Sequence, residues 1–367
     1  MLRLRDLSED TTLFPWNKST LHPALSSTIP VVVALLIGQA TGHRSAGSIA
    51  AGAAFTVGFA VFHEALASTL LSMALLTLGI ASATLVGSLG AQWTPLVLLL
   101  CVLAAINYGL LSGLGATSGW IGQQCGIFVI VSSYFSQGLH YAVGRSEMVL
   151  VGGALQMVTF AVWDRVRRHE PGKPRPSLPI FRQIGTRAGQ LARALRNEVH
   201  WGTDTTAYAL KLVITLGLTT AAYRWLHWQN GYWAPMTALL VLKPAWANTL
   251  SRGIARLAGT LVGAGFCVLL ATHAPFPHWV YLVLIALTAW VCFALQAVNY
   301  ALFSGVLTMY TVFLFAFGGF SERSAADMRL INTALGGLLA LLVDFIWKEI
   351  GPRLQARSRP LQEVRPL

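Results

Sequence analysis

Gly231–Ala264 reads GYWAPMTALLVLKPAWANTLSRGIARLAGTLVGA. It opens with a short, proline-interrupted apolar segment that ends at Lys243-Pro244. A polar connector leads into a glycine-bearing apolar helix that carries Arg252 and Arg256 near its start. Four-residue spacing places both arginines on one helix face. Two positive charges at the mouth of a membrane helix either hold an anion or snorkel to lipid phosphate, and both readings stand at this point.

The surrounding chain is strongly apolar. Of 367 residues, 55% are hydrophobic and only 11% charged, with a mean hydropathy of +0.60. Soluble domains carry about 25% charged residues, so the composition specifies an all-α integral membrane protein. A membrane helix needs roughly 20 apolar residues. About twelve such blocks start near Leu25, Gly47, Ser68, Thr94, Asn107, Met148, Ala207, Gly231, Leu250, His278, Asn299 and Met328. Their apolar runs are continuous rather than alternating, which argues against membrane strands. Residues 1–22 carry Arg3, Asp6, Glu9, Asp10 and Lys18 and lack the apolar core of a cleaved signal peptide. Cys101, Cys125, Cys267 and Cys292 fall in apolar blocks without paired spacing and read as small hydrophobes.

The net charge of +12 reflects topology rather than nucleic-acid binding. With a cytoplasmic N-terminus, 20 Lys/Arg fall on the inner side, among them Lys243, Arg252 and Arg256. The outer side then holds Arg44, Arg145, Arg224, Arg323 and Arg329. The positive-inside rule therefore predicts both termini in the cytoplasm, with attraction to anionic lipids.

Internal matches predict a duplication. AINYGLLSG at Ala105–Gly113 resembles AVNYALFSG at Ala297–Gly305, and TLVG occurs at Thr84–Gly87 and Thr260–Gly263. Arg145, Gly152-Gly153 and Trp163 recur in order as Arg329, Gly336-Gly337 and Trp347. Six helices per half return the chain to its starting side, which makes the halves parallel repeats. The expected organisation is a cytoplasmic segment 1–22, a six-helix repeat 23–164, a linker 165–204, a second repeat 205–350 and a tail 351–367. The linker is basic and proline-rich at first. Phe181, Ile184, Ala188, Leu191 and Leu195 then recur at helical spacing, as in an amphipathic helix on the inner leaflet or a plain topology-setting linker.

Enzyme and cofactor motifs do not appear. His63-Glu64 has no second histidine four residues on, and there is no phosphate loop, nucleophile elbow or metal-ligand cluster. No cofactor and no catalytic residues are expected. Carriers often bind substrate where short or glycine- and proline-broken segments meet between repeats. Segment two carries Gly47, Gly52 and Gly58, and segment eight carries Tyr232, Trp233 and Pro235. Close helix packing or interfacial anchoring accounts equally for these residues. The TLVG alignment sets Leu76 and Ile80 opposite Arg252 and Arg256, so only the second half offers the arginine pair. Lys243 adds a nearby charge and Lys211 faces the same region. Asn299 and Tyr300, with Asn107 and Tyr108, read as helix openings or a polar lining. Thr308, Tyr310 and Thr311 lie deeper, and Glu64, Glu147 and Asp344 near helix ends are the acidic candidates for proton coupling.

YWAPMTALLVLKP, Arg252, RLAGTLVGA from Arg256, NYAL at Asn299–Leu302 and RLINTALGG from Arg329 together resemble the fusaric-acid-resistance-like family, which includes aromatic acid exporters. The resemblance is strongest over about Ala207–Ile350. It implies a transporter core of six-helix halves that exports aromatic or other organic acids. Lys243, Arg252, Arg256, Gly259 and Thr260 fall on the recurrent motif, while Asn332 stands where the family commonly has an acid. The expected function is an inner-membrane secondary transporter of small organic anions. A channel-like anion conductor and a lipid-binding scaffold for an envelope partner are the alternatives. Expected partners are the anion and anionic lipids, with a periplasmic adaptor and a homo-oligomer both compatible and no nucleic acid.

Overall fold

Hydrophobic blocks long enough to span a bilayer must satisfy their backbone internally, and they do so as helices. The computed structural model describes residues 21–63, 68–135, 137–167, 203–271, 276–319 and 322–358. Among the described residues it holds twelve α-helices and no strand. The first six are α1 (Leu21–Ala40), α2 (Arg44–Gly58, continued by a 3-10 turn Phe59–Phe62), α3 (Thr69–Gly90), α4 (Thr94–Gly113), α5 (Ala116–Ser132) and α6 (Leu139–Arg167). The second six are α7 (Asp204–Trp225), α8 (Trp233–Val241), α9 (Trp246–Ala271), α10 (His278–Leu295), α11 (Tyr300–Phe317) and α12 (Glu322–Ser358). Ten are long and apolar enough to cross a membrane. The chain is a multi-pass membrane protein.

The packing repeats itself. In the first half α1 packs on α2 and α6, α2 on α6, α3 on α5 and α6, and α4 on α5. In the second half α7 packs on α8 and α12, α8 on α12, α9 on α11 and α12, and α10 on α11. The halves meet twice in the same way, α4 against α7 and α10 against α1. The TLVG motifs mark equivalent helix crossings. A Cβ on Gly87 of α3 would lie 2.8 Å from the Val129 carbonyl oxygen of α5. On Gly263 of α9 it would run into the Gly305 carbonyl of α11. Likewise Gly152 of α6 sits under the Ala50 carbonyl of α2, and Gly336 of α12 under the Ala234 carbonyl of α8.

One match behind the repeat does not hold in space. Asn107 and Tyr108 lie near the end of α4, whereas Asn299 and Tyr300 stand at the start of α11. Hydropathy does not change at Asn107, so α4 runs through it and breaks only at Gly115, whose φ is +128°. For the same reason α5 and α6 start at Ala116 and Leu139 rather than near Asn107 and Met148.

Candidate functional site

The site forms around α8. Nine residues rise only about 13.5 Å, less than half of the roughly 30 Å hydrocarbon core. Trp233–Leu239 and Val241 are buried. The helix stops because Leu242 is extended (ψ 129°) and Lys243, preceding Pro244, is steered from helical geometry. The carbonyls at this end need donors inside the membrane, and Lys211 of α7 supplies them. Its Nζ donates to Lys243 O (3.1 Å), Pro244 O (2.8 Å) and Asp344 Oδ1 of α12 (2.7 Å). The Lys211 and Asp344 side chains are 4% and 3% exposed. All three ammonium protons are thus used, and the charge favours the carbonyl end of the helix it caps.

Arg256 has no such arrangement. It lies ten residues into α9, about 15 Å along the helix axis. It is 1% exposed, and its Nε, Nη1 and Nη2 have no hydrogen-bond partner. Arg329 of α12, 2% exposed, donates from Nε to Thr308 Oγ1 (3.3 Å), while its Nη1 is unpartnered. The two arginines grip one turn of α11. Ser304 Oγ donates to the Arg256 carbonyl (3.2 Å), and Thr308 Oγ1 donates to the Ser304 carbonyl (2.9 Å). Their like charges repel. Among the described residues, the one buried carboxylate in an ion pair is already held by Lys211. Around the arginines, Thr237 Oγ1, Thr260 Oγ1 and Asn332 Oδ1 are also buried without partners. An arginine at the centre of a membrane helix costs about 2.5–3.5 kcal/mol on insertion scales. Two of them therefore stand in the membrane-spanning region beside buried hydroxyls with donors left unpaired.

Aromatic faces orient the guanidinium groups. The Arg329 guanidinium lies 4.1 Å over the Trp233 ring, and that of Arg252 lies 3.5 Å over Tyr300. Stacking of this kind holds the plane while leaving its edge N–H groups directed outward. Tyr232 packs beside Trp233 (4.9 Å between centroids) and Tyr134 (4.9 Å), with its hydroxyl unpartnered.

The residues singled out in the sequence divide into three groups. Arg256, Thr308 and Trp233 come together, with Tyr232 beside them and Arg252 with Tyr300 one turn away along α9. Lys243 contributes its backbone carbonyl to the Lys211 cap. Tyr310 and Asn299 stand elsewhere: the Tyr310 ring stacks on Phe55 of α2 at 4.1 Å, and Asn299 caps α11 by accepting from Leu302 N at 3.0 Å.

Several placements correct the sequence reading. Arg256 is not at the helix mouth but buried ten residues into α9. Tyr232 and Trp233 are not interfacial anchors, because α8 starts inside the protein. Arg329 belongs to the span Ala325–Gly351 and not to an outer loop. Its position in the Arg145/Arg329 repeat pair was the available signal. Asp344 is buried in an ion pair instead of lying cheaply near a helix end, and Lys211 is locked to it. Glu147 is exposed on α6. Glu64 and the amphipathic linker segment from Phe181 to Leu195 lie outside the described residues.

Comparisons with known proteins fall on this same half. Residues 218–343 match a family described as fusaric acid resistance protein-like. An uncharacterized transporter, YdhK, of Salmonella typhimurium is 30% identical over 148 residues, 38% of this chain and 19% of that protein. The Escherichia coli K12 protein of the same description is 31% identical over 114 residues, 30% of this chain and 17% of its own length. An uncharacterized protein of Haemophilus influenzae is 27% identical over 143 residues, 39% of this chain and 20% of that protein. The chain thus matches about a fifth of the length of these relatives. No solved structure matches.

Proposed function

We propose, for a membrane chain whose residues 218–343 carry the fusaric acid resistance protein-like family pattern, a secondary transporter that exports organic, chiefly aromatic, acids across a bacterial inner membrane. The observation that carries this reading is the Arg256 guanidinium, buried with three unpartnered nitrogens beside a second buried arginine. A planar guanidinium matches a carboxylate in a two-point fork. Charge-assisted hydrogen bonds contribute about 1.5–3 kcal/mol each, enough to offset the cost of the buried charge when an anion arrives. Relatives described as transporters support the same reading.

In this scheme Arg252, half-exposed on its Tyr300 platform, receives the anion from the cytoplasm. Arg256 and Arg329 then hold the carboxylate, with Thr237 as a hydroxyl partner, Thr308 fixing Arg329, and Trp233 and Tyr232 beside the substrate ring. An inside-negative potential favours anion exit by roughly 2.3 kcal/mol per charge per 100 mV. Asp344 is the carboxylate placed to couple a proton. Protonating it releases Lys211 and with it the end of α8, the element that carries Trp233.

The test is benzoate efflux from proteoliposomes with Arg256→Gln and with Arg329→Gln. Each variant is expected to lower efflux at least tenfold while inserting and unfolding normally. Unchanged benzoate efflux in Arg256→Gln overturns the arginine mechanism.

A further inference from the structure

Arg145 of α6 is the first-half counterpart of Arg329. Both lie about 10 Å inside the start of their helices, and Arg145 falls within the span Leu139–Val166 rather than in an outer loop. Connectivity sets its level in the bundle. α6 runs toward the linker and α7 starts from it, so the start of α6 shares one end of the bundle with the end of α7 and the start of α8. With the linker in the cytoplasm, this is the outer end.

The Arg145 side chain is half-buried. Its guanidinium lies 4.5 Å over the ring of Phe135, in the corner between α5 and α6, and Nη1 donates to the Tyr141 hydroxyl (3.2 Å). The Nε is buried with no partner, and among the described residues no carboxylate pairs with Arg145. The repeat makes α2 the first-half equivalent of α8, so symmetry alone would stack Arg145 on α2 as Arg329 stacks on Trp233. Arg145 instead stacks on Phe135, whose ring is 5.9 Å from Tyr232 of the other half. Tyr232 lies 4.9 Å from Trp233, and Trp233 carries Arg329. A row of rings, Phe135, Tyr232 and Trp233, thus runs from one arginine to the other across the boundary between the halves. The Tyr232 hydroxyl within this row is buried without a partner, and the charges of both arginines act on it.

Resting on the reading of Arg256 and Arg329 as carboxylate ligands, we propose that Arg145 is a second substrate ligand on the outer side, to which an aromatic acid passes from Arg329. Each end of the row offers the same pair of groups, a guanidinium for the carboxylate and a ring face for the substrate ring. A bare carboxylate is costly away from water, and the Tyr232 hydroxyl is the donor between the two ends. Burial sets the direction of release. Water screens a half-buried guanidinium more than a fully buried one, so Arg145 holds the acid more weakly than the inner arginines and gives it up to solvent. The first half thereby supplies the exit ligand and the second half the inner ones.

Benzoate exchange in inside-out and right-side-out membrane vesicles carrying the full chain tests this, with vesicles lacking the chain subtracted. Each orientation gives an apparent KM for the face it exposes. Arg145→Gln is expected to raise KM at the outer face at least tenfold, to leave KM at the cytoplasmic face within twofold, and to unfold as the wild type does. Arg145→Lys, which keeps the charge without the fork, should recover part of the loss. Tyr232→Phe removes only the hydroxyl and is expected to slow exchange at least threefold. If Arg145→Gln fails to fold, a wild-type exchange rate in Tyr232→Phe overturns the proposal. Wild-type KM at the outer face in folded Arg145→Gln, together with loss of efflux in Arg256→Gln, overturns the outer ligand and leaves the arginine mechanism standing. An equal rise at both faces, or a rise at the cytoplasmic face alone, also overturns it. Wild-type efflux in Arg256→Gln overturns both readings.

Discussion

Lys211 Nζ and Asp344 Oδ1 lie 2.7 Å apart across 133 residues of chain. The pair ties α7 to α12, and two further Lys211 bonds tie both to the end of α8. Three helices of the second half therefore depend on one ammonium group. Removing one partner of a buried ion pair costs about 3–5 kcal/mol, whereas replacing both with apolar groups is often neutral. Lys211→Met and Asp344→Leu are each expected to lower the thermal unfolding midpoint in detergent, and the double variant to recover only the part due to the unpaired carboxylate, because Lys243 O and Pro244 O still lose their donor. A double variant less stable than either single one contradicts this view of the pair.

Arg256→Gln removes a buried charge that has no partner, so stability without anion is expected to hold or rise. Wild-type protein gains about 1.4 kcal/mol when a ligand reaches ten times its Kd. Benzoate titrations followed by thermal unfolding should show that gain in the wild type and none in the variant. A variant that is both less stable and still benzoate-responsive would assign Arg256 to packing.

Neighbouring glycines on α12 should respond in opposite ways. Gly336→Ala drives a Cβ into the Ala234 carbonyl of α8, a backbone atom that cannot rotate aside. Gly337→Ala enters open space and gains about 0.5–1 kcal/mol of helix preference. Thermal midpoints of the two variants should straddle that of the wild type.

Asn299→Ala deletes the side-chain acceptor for Leu302 N, a helix cap worth about 1 kcal/mol. Stability should fall by that order while benzoate affinity stays within twofold. A large affinity change with little loss of stability would move Asn299 from cap to ligand.

The twelve helices and the doubled architecture are legible in hydropathy and in TLVG, because long apolar runs have few alternatives in a bilayer. The inner boundaries are less so: Asn107 is polar but stays inside α4, where its side chain is exposed near the helix end. Arg329 misleads for a related reason. A charge normally marks the end of a span, yet Arg329 lies inside one, over the Trp233 ring. Arg256 sits deeper in its helix than the sequence suggests, and the Tyr310 ring packs on Phe55, a contact between distant helices. The Lys211–Asp344 bond and the empty space over Gly337 have no local sequence signal, because each depends on helices far apart in the chain.

The paired seams, α4 on α7 and α10 on α1, are what two copies of a six-helix chain would make by closing on each other. Joining the copies in one polypeptide frees them to diverge. A homodimer must carry every intramembrane arginine twice, along with the insertion cost and mutual repulsion of both. In the fused chain one half has Thr77 and Ile80 where the other has Gly253 and Arg256. Fusion thus permits one half to bury an arginine where its counterpart buries an isoleucine.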